Sequence, residues 1–276
     1  TDTSFTIPNG VTGIANGAFE NCRNLTRITI PKSVKSIGND AFSICEGLTS
    51  VTIPDGVTYI GKWAFEDCRG LTTLLIPSSV AHIGETAFRG CTGLAAVAIP
   101  NGVTEIGREL FSGCTGLREV VLPDGVTTIG YSAFEGCTGF VGDLVIPDSV
   151  NLNGANYKVT SVGTKAFKNN KYLKKLTIGN NVVQIKSYAF YKCTKLNTVK
   201  IGKAVQYIGK QSFYGCKKIS TMRIYTSRLK QKNIGSSAFK GTPSRMKVYT
   251  PRKQVKSYKS IFIKRGMSKN IVMKKL

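Results

Sequence analysis

Eight cysteines are the first candidates for chemistry in this 276-residue chain: Cys22, Cys45, Cys68, Cys91, Cys114, Cys137, Cys193 and Cys216. Thiols can ligate zinc, form cystines or act as nucleophiles. Their spacing argues against all three. Each stands three residues after a phenylalanine, no Cys-x-x-Cys pair occurs, and the chain holds one histidine, His82. A residue that recurs at one place in a repeat fills the same slot each time, and here the slot also takes Asn170 and Thr242. The expectation is a row of buried, reduced thiols behaving as small hydrophobes, with cystines between adjacent turns as the alternative. The tight acidic pairs are Glu66 with Asp67 and Glu105 with Glu109. A glycosidase needs two carboxylates facing each other across a sugar, and these fall at variable places of the repeat. His82 falls at a similar variable place, as Tyr59 and Glu105 do, and is expected to face solvent. No phosphate-binding glycine loop, nucleophile elbow or paired-histidine zinc motif occurs in a supporting context. The chain is therefore read as not an enzyme, with no catalytic residue, no metal and no cofactor.

Basic residues are the second candidates. Residues 1–139 hold 9 Lys/Arg against 13 Asp/Glu, whereas residues 140–276 hold 30 against 2. No carboxylate side chain follows Asp148. Such asymmetry speaks of partners rather than of fold. It suits sulfated glycans, teichoic acid or another polyanion; a lysine-rich, merely solubilising surface is the plain alternative. Nucleic acid is not expected, because no recognition motif accompanies the charge.

The elements that must position these residues come from a repeat. Leu48–Gly70 (LTSVTIPDGVTYIGKWAFEDCRG) and Leu71–Gly93 (LTTLLIPSSVAHIGETAFRGCTG) share a 23-residue frame, L-x-x-V-x-I-P-x-x-V-x-x-I-G-x-x-A-F-x-x-C-x-x. The frame also starts at Leu25, Leu94, Leu117, Leu173 and Leu196, and its phenylalanine recurs ten times, at Phe19, Phe42, Phe65, Phe88, Phe111, Phe134, Phe167, Phe190, Phe213 and Phe239. A fixed period of this size means a solenoid. Within a unit, Ser50-Val51-Thr52-Ile53 alternates as a half-buried strand ended by Pro54, with Val51 and Ile53 inward. Val57 and Ile60 bring the chain back, Gly61 relaxes the backbone, and Ala64-Phe65 with Cys68 close the turn. No single unit can bury these positions, so Ile stacks on Ile and Phe on Phe, and the strands pair in parallel.

This frame resembles the BspA-like, or Treponema-type, class of bacterial surface leucine-rich repeats from residue 5 to about 250. The resemblance implies a right-handed, curved leucine-rich-repeat solenoid, with a parallel β-sheet on the concave face and short turns or helical pieces on the convex face. It also implies secretion or cell-surface display, and adhesion or protein binding rather than catalysis. The partner would be a host or bacterial surface protein or glycan, met by a monomer. A structural stalk is a third reading.

The strand alternation places side chains on the concave face: small and polar early (Arg27, Thr29, Ser50, Thr52, Thr73), then Leu75, Ala96, Ala98, Glu119, Val121, Asp143 and Val145. The late part is basic, with Lys175, Lys200, Arg223 and Lys247 read as one column across the strands, joined by Tyr225 and Tyr249. The binding candidates are Leu75, Val121, Val145, Lys175, Lys200, Arg223, Tyr225, Lys247 and Tyr249. Arg and Tyr are common interface anchors.

Residues 1–249 are read as ten turns of solenoid and residues 250–276 as a C-terminal cap. Asn153-Gly154 between apolar flanks predicts a hairpin within the insertion near 151–158, and a second insertion lies near 226–232. Thr250-Pro251 reads as a helix N-cap and first helical residue, Val255, Tyr258, Ile261 and Phe262 follow at helical spacing, Gly266 suits the position after the helix, and Ile271-Val272-Met273 suits a last strand. No apolar run is long enough for a transmembrane helix. The chain opens on Thr-Asp-Thr-Ser without a leader or an N-terminal cap, and is expected either to have lost a leader or to be a piece excised from a longer protein.

Overall fold

The computed structural model describes residues 3–121, 126–139, 142–146, 148–152 and 155–276. Among the described residues the chain makes about 11 turns of a parallel β-solenoid and carries one α-helix, near its end. It divides into two compact units, Thr1–Val126 with Ala133–Phe140, and Thr127–Ser132 with Val141–Leu276.

In the first unit, Thr3–Thr6, Leu25–Thr29, Ser50–Thr52 and Thr73–Leu75 pair in parallel in that order, and Ala96–Ala98 pairs with Glu119–Val121. The alternation behind this is Val51 and Ile53 buried against exposed Ser50 and Thr52, repeated turn after turn. A second ladder of two-residue parallel strands runs alongside: Gly13–Ile14, Ser36–Ile37, Tyr59–Ile60 and His82–Ile83. In the turns that follow the short strands the phenylalanine rings from Phe19 to Phe134 stack at 5.0 to 5.6 Å. Parallel in-register strands lie about 4.8 Å apart, so each ring falls over its neighbour and the core is continuous from turn to turn.

The glycine before the phenylalanine corner is needed for approach, not for relaxation. Gly84 has no positive φ, yet a Cβ there would stand 2.4 Å from the Lys62 amide nitrogen of the preceding turn. The expected helical pieces are scarce. The phenylalanine corners are turns, and among the described residues only Gln231–Asn233 and Arg252–Gln254 form 3-10 turns.

In the second unit the sheet order is Gly142–Ile146, Leu173–Ile178, Thr198–Ile201, Thr221–Ile224, Lys247–Thr250, Val272–Lys275, all parallel. Its short ladder is Thr128–Ile129, Ser161–Val162, Gln184–Ile185 and Tyr207–Ile208. The predicted hairpin is present, Ser149–Leu152 antiparallel to Ala155–Lys158; its turn residues Asn153 and Gly154 lie outside the described residues.

The helix Val255–Lys264 buries Tyr258 and Phe262. Phe262 meets Phe239 at 5.5 Å and 71°, an edge-on contact in place of the next stacked ring. That adds a turn to the ten legible from the repeat. The N-cap reading of Thr250 is wrong. Thr250 is the last residue of strand Lys247–Thr250, its hydroxyl is buried without a hydrogen bond, and the helix starts from Gln254 with no side-chain cap. Gly266 does follow the helix at φ +106°, and a Cβ there would stand 2.8 Å from the Lys240 amide nitrogen. Tyr258 ties the ninth-turn insertion down. Its hydroxyl accepts from the Leu229 amide at 3.1 Å and donates to the Thr226 carbonyl at 3.0 Å.

Candidate functional site

Seven of the eight cysteines are buried and share one hydrogen bond. Cys45, Cys68, Cys91, Cys114, Cys137, Cys193 and Cys216 each donate Sγ–H to the carbonyl of the phenylalanine of the preceding turn, at 3.0 to 3.3 Å. The same carbonyl already receives the amide of the residue in that slot of its own turn, as Phe42 does from Cys45 at 3.2 Å and Phe167 from Asn170 at 3.2 Å. Burial pushes the Cys45 and Cys137 thiols up to about 12. Burial drives Cys68, Cys91, Cys114 and Cys193 well above the ordinary thiol range. A thiol held neutral and inward is neither nucleophile nor ligand. Cys22 departs from the expectation and is exposed. Where Asn170 takes the slot, its Oδ1 instead accepts from the Tyr172 and Leu173 amides at 3.1 and 2.9 Å.

The acidic pairs do not converge on a cleft. Glu66 meets Arg89 at 2.6 Å, and Glu109 lies 3.8 Å from Arg89 and 3.2 Å from Arg108, as a surface ion network. Burial raises the Glu66 carboxyl above its usual range and Arg89 pulls it back. His82 is exposed and stacks on Tyr59 at 4.9 Å. No group of three or more potential metal ligands occurs among the described residues, and no helix among them is long and apolar enough to cross a membrane.

The outward face of each sheet carries what remains. In the first unit Leu75 is 68% exposed, beside the small side chains Thr73, Ala96 and Ala98, which are also exposed. An open groove of about 700 Å³ runs along this face between Arg27, Thr52 and Leu75. The side chain of Val121 lies outside the described residues. In the second unit Val145 is 58% exposed, and Lys175, Lys200, Tyr225 and Lys247 are exposed, with Arg223 and Tyr249 half-buried.

The single basic column read from the sequence is corrected by the register. Asp143, Lys175, Thr198, Thr221, Lys247 and Val272 form one column. Val145, Thr177, Lys200, Arg223, Tyr249 and Lys274 form the next. The cause is arithmetic: Lys175 and Lys200 are 25 residues apart in a 23-residue repeat, and the later insertion lengthens the step to 26 between Thr221 and Lys247. Lys175 is engaged by Asp143 at 2.9 Å. Arg223 lies over the Tyr249 ring, 4.3 Å from its centre. Tyr225 falls just beyond strand Thr221–Ile224, where its amide donates to the Ile201 carbonyl at 2.9 Å. Lys274, in line with these residues, was not foreseen.

The family model for the BspA-type leucine-rich-repeat region matches residues 12–141 and 148–268. Among solved structures, a leucine-rich-repeat protein from Bacteroides ovatus is similar with a TM-score of 0.52 at 23% identity, covering 99% of this chain and 84% of its own. A leucine-rich cell surface protein from Faecalibacterium prausnitzii aligns with a TM-score of 0.51 at 23% identity, over 99% of this chain and 88% of its own. The pneumococcal vaccine antigen PcpA aligns with a TM-score of 0.60 at 20% identity, over 99% and 79%. These likenesses speak for the fold. A search of the curated proteins finds no match.

Proposed function

Since the chain belongs to the BspA-type leucine-rich-repeat family, we propose that it is a binding module displayed outside the cell, which adheres to a partner surface through the outward faces of its parallel sheets. The observation that carries this reading is the division of labour in the repeat. Inward positions are near-constant and buried in most turns, with Cys22, the half-buried Ile76 and Arg245 departing, while outward positions change chemistry along the chain, from Leu75 with its small neighbours to the Arg223–Tyr249 pair. A stiff sheet whose core is satisfied from within can vary its face at little cost in stability. Exposed aliphatic side chains in a setting of small ones suit contact with a protein, and the fixed arginine and tyrosine suit an interface anchor. Residues 250–276 close the last turn, through Phe262 against Phe239, and shield its core from solvent.

Two measurements test this. Biotinylation of intact cells that produce the parent protein should label it, and labelling only after lysis would refute display. Fluorescently labelled chain should bind host epithelial cells or bacterial cells saturably in flow cytometry; absence of saturable binding to both would refute adhesion.

The basic columns of the second unit favour an acidic glycan there over a neutral partner, since charge of one sign on consecutive strands repels itself until a polyanion bridges it.

A further inference from the structure

We propose that the second unit carries a strip for a linear acidic polysaccharide, running over the sheet from Lys200 through Arg223 and Tyr249 to Lys274, with a branch into the depression beside Lys247. The proposal rests on the sheet-face reading above and names the ligand class for one of the two faces.

Charge accounting comes first. Asp143 and Asp148 are the only carboxylate side chains from residue 140 onward. Asp143 is held by Lys175, and Asp148 accepts from the Asn180 amide and from Asn180 Nδ2. Asp143, paired with Lys175, is the only acid in the two columns, so Lys200, Arg223, Lys247 and Lys274 have no free acidic neighbour within them. Parallel pairing places Lys200, Arg223, Tyr249 and Lys274 on four successive strands, about 4.8 Å apart. A polymer with closely spaced charges can meet several of them at once. A small anion can meet only one or two.

Arg223 is pre-set for this role. Its guanidinium rests on the Tyr249 ring, which limits its motion and leaves its fork of donors free for a sulfate or carboxylate. The break in the repeat next to it adds cations. Arg245 takes the place that Leu196 and Ile219 hold in earlier turns, yet it is exposed where they are buried, and Met246 is buried instead. Around this fault lies an open depression of about 480 Å³, bordered by Lys217, Lys218, Arg245 and Lys247. A core position given to arginine weakens the ladder and enlarges the basic strip. Tyr249 is the only aromatic residue in the two columns, whereas single-stranded nucleic acid binders place an aromatic under successive bases. The exposed aliphatics, Val145 and Val272, stand at the margins, so the strip lacks the continuous apolar stripe that inserts into a lipid surface.

The test uses the full chain and a heparin dodecasaccharide in titration calorimetry at about 0.15 M salt, where the Debye length is ~8 Å. Two triple variants remove equal charge. One is Lys200→Gln, Arg223→Gln, Lys274→Gln; the other is Lys253→Gln, Lys256→Gln, Lys259→Gln, on and just before the exposed side of the helix. Both should melt like the parent chain. The expected result is at least a 30-fold loss of affinity in the first and less than threefold in the second, with a shallower salt dependence only in the first. Equal losses in the two, or no binding of the parent chain, would overturn the proposal. Tighter binding of oligothymidylate or of phosphatidylserine vesicles than of heparin, lost in the first variant, would also overturn it and assign the strip to that partner. Cell binding abolished by sheet-face substitutions in the first unit, beside a failed heparin result, would sink this inference alone.

Discussion

Replacing Phe65 by alanine perturbs the core at one rung whose neighbours are known. The ring is fully buried, stacked on Phe42 at 5.0 Å and on Phe88 at 5.6 Å. Truncating a buried phenylalanine costs about 3–5 kcal/mol, of which the two ring pairs supply roughly 0.5–1.5 kcal/mol each. In a solenoid each turn senses only its neighbours, so this loss should stay local. The amides to watch are those of Phe42, Phe65 and Phe88, which donate to the Ala64, Ala87 and Leu110 carbonyls of the following turns at 2.8, 2.8 and 3.1 Å. By hydrogen exchange, ~3 kcal/mol of lost protection is about 100-fold faster exchange, at 1.4 kcal/mol per tenfold. The amide of Phe213, bonded to Ala238 in the other unit at 2.8 Å, should change by less than threefold (about 0.6 kcal/mol at the same scale). Equal acceleration at Phe213 would show one cooperative unit and refute the nearest-neighbour argument. Unchanged exchange at Phe42 and Phe88 would refute the ring ladder.

Thiol chemistry should follow burial: native protein should expose Cys22 alone to a thiol reagent at neutral pH, and all eight cysteines after denaturation. The thiols that burial raises, Cys45, Cys68, Cys91, Cys114, Cys137 and Cys193, keep their protons when folded and lose them above about pH 8.5 when unfolded, so the folded state binds more protons there and stability falls as pH rises. Cys91→Ala should reduce that slope by up to ~1.4 kcal/mol per pH unit, read from urea midpoints between pH 8.5 and 11; an unchanged slope would count against a neutral, buried thiol. Tyr258→Phe strands the Leu229 amide and the Thr226 carbonyl, both buried, and should cost about 1–3 kcal/mol, visible as faster exchange at Leu229. Gly84→Ala should cost about 1–3 kcal/mol by overpacking. Gly107→Ala, at the same place in the next turn but with 3.8 Å of clearance, should stay within about 0.5 kcal/mol in the same thermal melts.

Burial was legible because it repeats. Val51, Ile53, Ile60, Phe65 and Cys68 are each copied at one place in turn after turn, and packing leaves a copied apolar position only one place to go. The helix spacing of Tyr258 and Phe262 was legible for a similar reason. What escaped was set by length and offset. The second ladder of paired strands is two residues long at Tyr59–Ile60 and shows no periodicity to find. The basic column failed because neighbours across strands depend on the count between them, and the chain inserts three residues before Lys247. Thr250 looked like a cap because threonine and proline suit a helix start, yet pairing with Lys275 along the sheet took it first. Gly61 serves not conformational freedom but, by its lack of a side chain, the close approach of the turn before it. On the face, residue types were visible, but the cation–ring pair of Arg223 and Tyr249 needed the register.

Binding through the outward sheet face is the claim on which the functional reading stands, and a face exchange tests it most directly. Leu75→Asp with Val145→Asp places one new charge on the sheet face of each unit. Tyr59→Asp with Tyr207→Asp places the same charge on the short ladder, at exposed positions of each unit. Saturable binding of the labelled chain to intact cells should fall at least tenfold, about 1.4 kcal/mol, in the first pair and stay within about twofold, or 0.4 kcal/mol, in the second. Equal loss in both pairs, or loss confined to Tyr59→Asp with Tyr207→Asp, would contradict the account and move the binding surface off the sheets.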